Sequence, residues 1–170
     1  MENIMDNKKI AQTGLLVAVA FVFSYIESLI PLNLGIPGIK LGLSNLVVLF
    51  ALYMMSYRIS FGISMVRIFL VGLTFGNLAA MLYSLAGGLL SFGVMALLKK
   101  SGKFSVYGVS LAGGVAHNIG QILVACLVLR TSLLLYYLPF LLVSGVTAGL
   151  LIGILGGMIL RRLSHWNRMI

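Results

Sequence analysis

A single arginine, Arg67, stands inside the run ISFGISMVRIFLVGLTFG, with mostly apolar residues on both sides. A charge at that depth in a bilayer costs about 2.5–3.5 kcal/mol on insertion scales. Such residues face a bundle interior or a cavity, and they mark substrate or ion paths. Ser60, Ser64, Arg67, Val71 and Thr74 follow one another at steps of four, three, four and three, which puts them on one mostly polar helical face. Glu27 is the only carboxylate outside the N-terminal tail, and Ser24 and Ser28 occupy neighbouring turns. Two readings of Arg67 are open: a structural ion pair with Glu27, or contact with a substrate. A third cluster, HNIGQ, stacks His117 and Gln121 four residues apart with Asn118 beside them. It serves either as inter-helical hydrogen bonding or as part of a site.

The chemistry these residues offer is binding, not catalysis. There is no Walker A pattern, so the chain itself is not expected to hydrolyse ATP. Asp6 is the only aspartate, which leaves no acidic cluster to hold Mg²⁺ for diphosphate chemistry. One histidine near the centre, a distant glutamate and the lone Cys126 do not make a metal site. No catalytic residue, metal or cofactor is expected in this chain.

The elements that must position these residues are set by an extreme composition. Of 170 residues, 61% are hydrophobic and 9% charged, and the mean hydropathy is +1.12. Soluble domains carry about 25% charge. The expectation is an all-α integral membrane protein, a single transmembrane domain over 1–170. The net charge of +9 does not imply nucleic acid, because the charges punctuate apolar runs as topology determinants do. The pattern predicts six helices, at about 10–30, 43–57, 59–75, 78–98, 106–129 and 133–160. The Gly- and Pro-rich loop PLNLGIPGIKLG joins the first two, a Gly76–Asn77 break precedes the fourth, and the segments 1–9 and 161–170 flank the bundle.

Six spans put both termini on one side. Lys8, Lys9, Arg58, Lys99, Lys100, Lys103, Arg161, Arg162 and Arg168 fall on that side, against Lys40 and Arg130 on the other. That asymmetry predicts a cytoplasmic-membrane protein with both termini cytoplasmic and the first loop outside. The loop then offers Asn33, Lys40, Ser44 and Asn45 as a compact lid. Lys40 runs against the charge rule, a hint of a ligand. A bias toward Lys40, Arg67 and Arg130 over Glu27 predicts an anionic or polar ligand head, and Tyr25, Phe75 and Tyr83 offer a lining for a ring or short isoprenoid body.

Small residues recur at four-residue spacing as Gly108, Ala112, Ala116 and Gly120, and again as Gly145, Gly149, Gly153 and Gly157. Both stripes predict close helix packing within the bundle.

PGIKLGLSNLVVLFAL, the Arg67 helix, SLAGGLLS and HNIGQ together resemble the membrane family known as heptaprenyl diphosphate synthase component I, or Gx transporter family, over about residues 9–162. That family is grouped with the S components of energy-coupling-factor (ECF) transporters. The resemblance implies an S-component-like bundle of six helices that binds a small molecule near the outer face under the first loop. It also implies docking, through small residues of helix one, on a transmembrane coupling protein that carries two ATPases. Ala11, Gly14 and Ala18 are the corresponding docking residues; Gly14-x-x-x-Ala18 stands where the family pattern is Ala-x-x-x-Ala. With the residue readings above, the expected substrate-binding set is Glu27, Asn33, Lys40, Asn45, Arg67, Asn77, His117, Asn118 and Gln121. The expected function is substrate capture for uptake. The alternatives are a non-catalytic accessory of isoprenoid or quinone synthesis and a stand-alone carrier.

Overall fold

The computed structural model describes residues 2–30 and 42–166, with side chains for 7–30 and 42–163. Six α-helices follow in order: α1 (Glu2–Leu29), α2 (Leu43–Met54), α3 (Tyr57–Thr74), α4 (Leu78–Ser101), α5 (Val106–Leu129) and α6 (Leu138–Trp166), with a 3₁₀ turn at Leu133–Tyr137 ahead of α6. There are no strands among the described residues.

Local chemistry explains the boundaries. Ser56, Asn77 and Ser105 cap α3, α4 and α5, their side chains accepting from the backbone N–H of Ile59, Ala80 and Gly108 at 3.3, 2.7 and 3.3 Å. Gly102 ends α4 in the left-handed region at φ 68°, as helix C-caps commonly do. Pro139 lacks the N–H that would donate to Leu135, so a continuous helix from residue 133 is broken into the 3₁₀ turn and α6.

Among the described residues, five helices are long and apolar enough to cross a membrane. The predicted second span is the exception. It stops at Met54 after 12 residues, about 18 Å at 1.5 Å per residue against a core of about 30 Å. Lys99 caps its end from across the bundle: its Nζ donates to Leu52 O, and it lies 5.1 Å from the ring centre of Tyr53 and 4.7 Å from that of Tyr57. The flanks also differ from expectation. The helices run into both predicted flanking segments, α1 from Glu2 and α6 to Trp166, and α4 absorbs Lys99 and Lys100.

The distribution of polarity is that of a membrane-type bundle. Leu73, Leu97, Leu127 and Tyr136 are largely exposed, whereas Ser24, Ser44, Ser60, Ser64, Arg67, Ser91, Ser110 and Asn118 are buried. An apolar exterior this extensive needs lipid to cover it. The apolar core sits on α2, with Leu46, Val48, Leu49 and Leu52 packed against Phe92, Met95, Val109 and Ile152.

Helices α4, α5 and α6 pack backbone to backbone. A Cβ added at Gly120 would meet Ala86 O at 2.7 Å and Gly87 Cα at 2.9 Å; one at Gly149 would meet Leu111 Cα at 2.8 Å. The α6 stripe thus packs on α5 as expected, through Gly145, Gly149 and Gly153. The α5 stripe packs within the bundle at Gly120, on α4, whereas Gly108 meets only Phe104 and Ser105. The contacts of α5 with α6 run instead through Tyr107, Ser110, Leu111 and Gly114. The contact order on each pair of helices is reversed, so α5 runs antiparallel to both neighbours.

Candidate functional site

Between the α4–α6 layer and helices α1–α3 lies a cavity of about 200 Å³. The last turn of α1 brings Ser24 and Glu27 to it, the start of α2 brings Ser44 and Asn45, and α3 brings Arg67, Val71 and Phe75. α4 adds Met81, Ser84, Ser91 and Met95, α5 adds Ser110, His117, Asn118 and Gln121, and α6 adds Ala148 and Ile152. All six helices contribute, so the site exists only in the assembled bundle.

Arg67 is the centre of the arrangement. It is only 8% exposed. Its Nη1 donates to Ser44 Oγ at the first turn of α2, and its buried Nε has no hydrogen-bond partner. Glu27 faces the same cavity and attracts the guanidinium electrostatically. It forms no direct ion pair with Arg67 among the described residues. It accepts instead from the backbone N–H of Gly42, which sits in the left-handed region at φ 75° just before α2. The start of α2 is thus held at two points, by Glu27 through Gly42 and by Arg67 through Ser44.

On α5 the polar side chains divide by role. Asn118 donates through Nδ2 to Leu141 O at 2.6 Å, and Ser110 donates to Gly149 O at 2.7 Å; both bind α5 to α6. His117 and Gln121 turn toward α4, where Gly87 leaves them room: a Cβ there would stand 2.8 Å from Gln121 Cγ and 3.1 Å from His117 Cε1.

The structure brings Glu27, Asn45, Arg67, His117, Asn118 and Gln121 to one cavity. Asn77 stands outside it, exposed, its side chain used as the α4 cap. Asn33 and Lys40 lie outside the described residues. Phe75 lines the cavity, and Tyr25 packs edge-on against it with ring centres 5.5 Å apart. Tyr83 is not among the lining residues, and Arg130 is exposed at the C-cap of α5, with φ 49°. Sequence reasoning missed Ser110 as a cavity residue, although Ser110, Gly114, His117 and Gln121 recur at steps of four, three and four. It also missed Ser44 as the partner of Arg67, for which no local signal exists.

Ala11, Gly14 and Ala18 form an exposed strip on α1, and a Cβ at Gly14 would meet nothing within 4 Å. No curated protein and no solved structure shows a significant match to the chain. A family profile does match, over residues 16–159, and by that match the chain belongs to the heptaprenyl diphosphate synthase component I family.

Proposed function

We propose that the chain is the substrate-binding membrane subunit of an ECF-type importer, capturing a small anionic or amphipathic molecule at the outer face. The observation that carries this reading is the cavity itself. It is lined by all six helices and holds one buried guanidinium whose Nε lacks a partner. A bundle stabilised for its own sake has no reason to keep such a group, because burying an unsatisfied donor is costly. In this reading α2 serves as the sixth crossing, and both termini face the cytoplasm as the distribution of Lys and Arg indicates. The exposed Ala11, Gly14 and Ala18 strip is the docking face for a coupling protein bound to two ATPases, since small side chains let another helix approach closely. The chain binds and does not catalyse.

The family's description supports a second reading, a membrane accessory that works with another component of a heptaprenyl diphosphate synthase. Affinity purification of the tagged chain from its native membrane separates the two. The importer reading predicts a coupling protein and ATPase subunits in the eluate, lost on Gly14→Leu or Ala18→Leu while the chain stays folded. Recovery of a soluble prenyl synthase without ATPases would overturn it in favour of the accessory.

A further inference from the structure

The chemistry of Arg67 and the size of its cavity narrow the ligand class. The guanidinium has two usable edges. Ser44 takes Nη1, and neither Nε nor Nη2 bonds to a described residue. Nε–H and one Nη2–H point the same way in one plane, spaced to meet two oxygens of a single planar anion. Ser44 is neutral and Glu27 is engaged by Gly42, so no described carboxylate already fills that edge.

Charge count sets the ligand's charge. Among the described residues Arg67 is the one cation lining the cavity, and Glu27 lines it too. A diphosphate, with two or more negative charges, would bring more charge than one guanidinium offsets in a low-dielectric interior. A carboxylate brings one.

Volume sets the body. The cavity of about 200 Å³ is only slightly larger than the roughly 150 Å³ apolar cavity that admits benzene. Ile68, Val71, Phe75, Met81 and Met95 give it apolar walls. A chain of many isoprene units is several times too large to be enclosed.

We propose that the site takes a compact monocarboxylate with a body about one ring in size, its carboxylate forked on the Nε–Nη2 edge of Arg67, and that it does not take a polyprenyl diphosphate. The proposal rests on the binding reading above. Its test is thermal stability and equilibrium binding of the full chain in lipid nanodiscs. The probes are benzoate, phenylacetate and cinnamate, with the matching neutral amides and with farnesyl diphosphate. The expected result is saturable stabilisation by at least one carboxylate, at least tenfold tighter than its amide. Arg67→Gln should erase that preference and Arg67→Lys should restore it in part. The unliganded melting temperature of each variant, measured alongside, separates lost binding from lost fold. Ser84→Leu, which narrows the cavity from α4 and leaves Arg67 in place, should weaken the larger cinnamate more than benzoate. Equal affinity for acid and amide, tighter binding of farnesyl diphosphate, or an undiminished preference in a folded Arg67→Gln protein would each overturn the proposal. If farnesyl diphosphate alone binds, the small-carboxylate class fails while a binding role stands; if no probe of any class binds, both fail.

Discussion

The two halves of the bundle are held together by different means. In α4–α6 the backbones touch: Gly87, Gly114, Gly120, Gly145 and Gly149 occupy places where a single added carbon would meet a carbonyl or a Cα. In α1–α3 the contacts are made by side chains. Phe21 and Tyr25 pack on Phe75, Glu27 holds Gly42, Ser44 holds Arg67, and Lys99 reaches in from α4 to close the end of α2. Helix α1 is the most peripheral of the candidate spans, with 17% of its apolar window buried. Backbone packing leaves no slack, whereas side-chain bonds can be exchanged for bonds to a ligand. The cavity lies where the rigid layer meets the adjustable one, and its charged groups come from the adjustable side.

The sharpest way to break this comparison is to place a side chain in each half. Gly120→Leu forces α4 and α5 apart at Ala86 and Gly87, and no flexible side chain is there to yield. Overpacking costs about 1–3 kcal/mol and more where backbone must move, so the variant should fail to give a monodisperse folded protein, or should melt far below wild type by circular dichroism in detergent. The intermediate case is Asn118→Ala. It removes the side-chain bond to Leu141 O that ties α5 to α6, at a cost of about 0.5–1.5 kcal/mol. Reversible unfolding in mixed micelles should register that loss. At the other extreme, Gly14→Leu on α1 meets open space. Its melting temperature should stay at the wild-type value, because surface substitutions away from special features change stability by about 0.5 kcal/mol or less. A Gly14→Leu protein as unstable as Gly120→Leu would show that the two halves are not packed differently.

Much of this was legible in the sequence, and the failures have physical causes. Helix α5 begins and ends as expected because Ser105 caps it and the apolar run ends at Arg130. Arg67 is conspicuous because a charge among apolar residues has few other places to go than a cavity. The end of α2 was not legible. Its apolar run continues into Met55, which turns extended just before the Ser56 cap of α3, and the freed Leu52 carbonyl is taken by Lys99, 47 residues away. The 3₁₀ turn was hidden in the leucine- and tyrosine-rich run before Pro139, where hydropathy alone reads as continuous helix. Ser44 was legible as a residue near the site, but its bond to Arg67 was not, and Ser110 was missed altogether, because their partners, Arg67 and the Gly149 carbonyl, are distant in sequence. The glycine spacing identified the packing face of α6 correctly. For α5 it found the close approach to α4 at Gly120 but not the second face, through Tyr107, Ser110, Leu111 and Gly114, that packs on α6.

The central claim is that the Arg67 cavity is where a ligand is held, and native mass spectrometry of the purified chain tests it most directly. The spectra would be taken for wild type, Arg67→Ala and the control Gly14→Leu, each with its melting temperature. Losing a charged hydrogen bond of about 1.5–3 kcal/mol lowers affinity by more than tenfold. The account therefore predicts a bound small molecule in wild type and in Gly14→Leu that is lost from a folded Arg67→Ala protein. The same molecule at equal occupancy in all three, with Arg67→Ala folded, would contradict it.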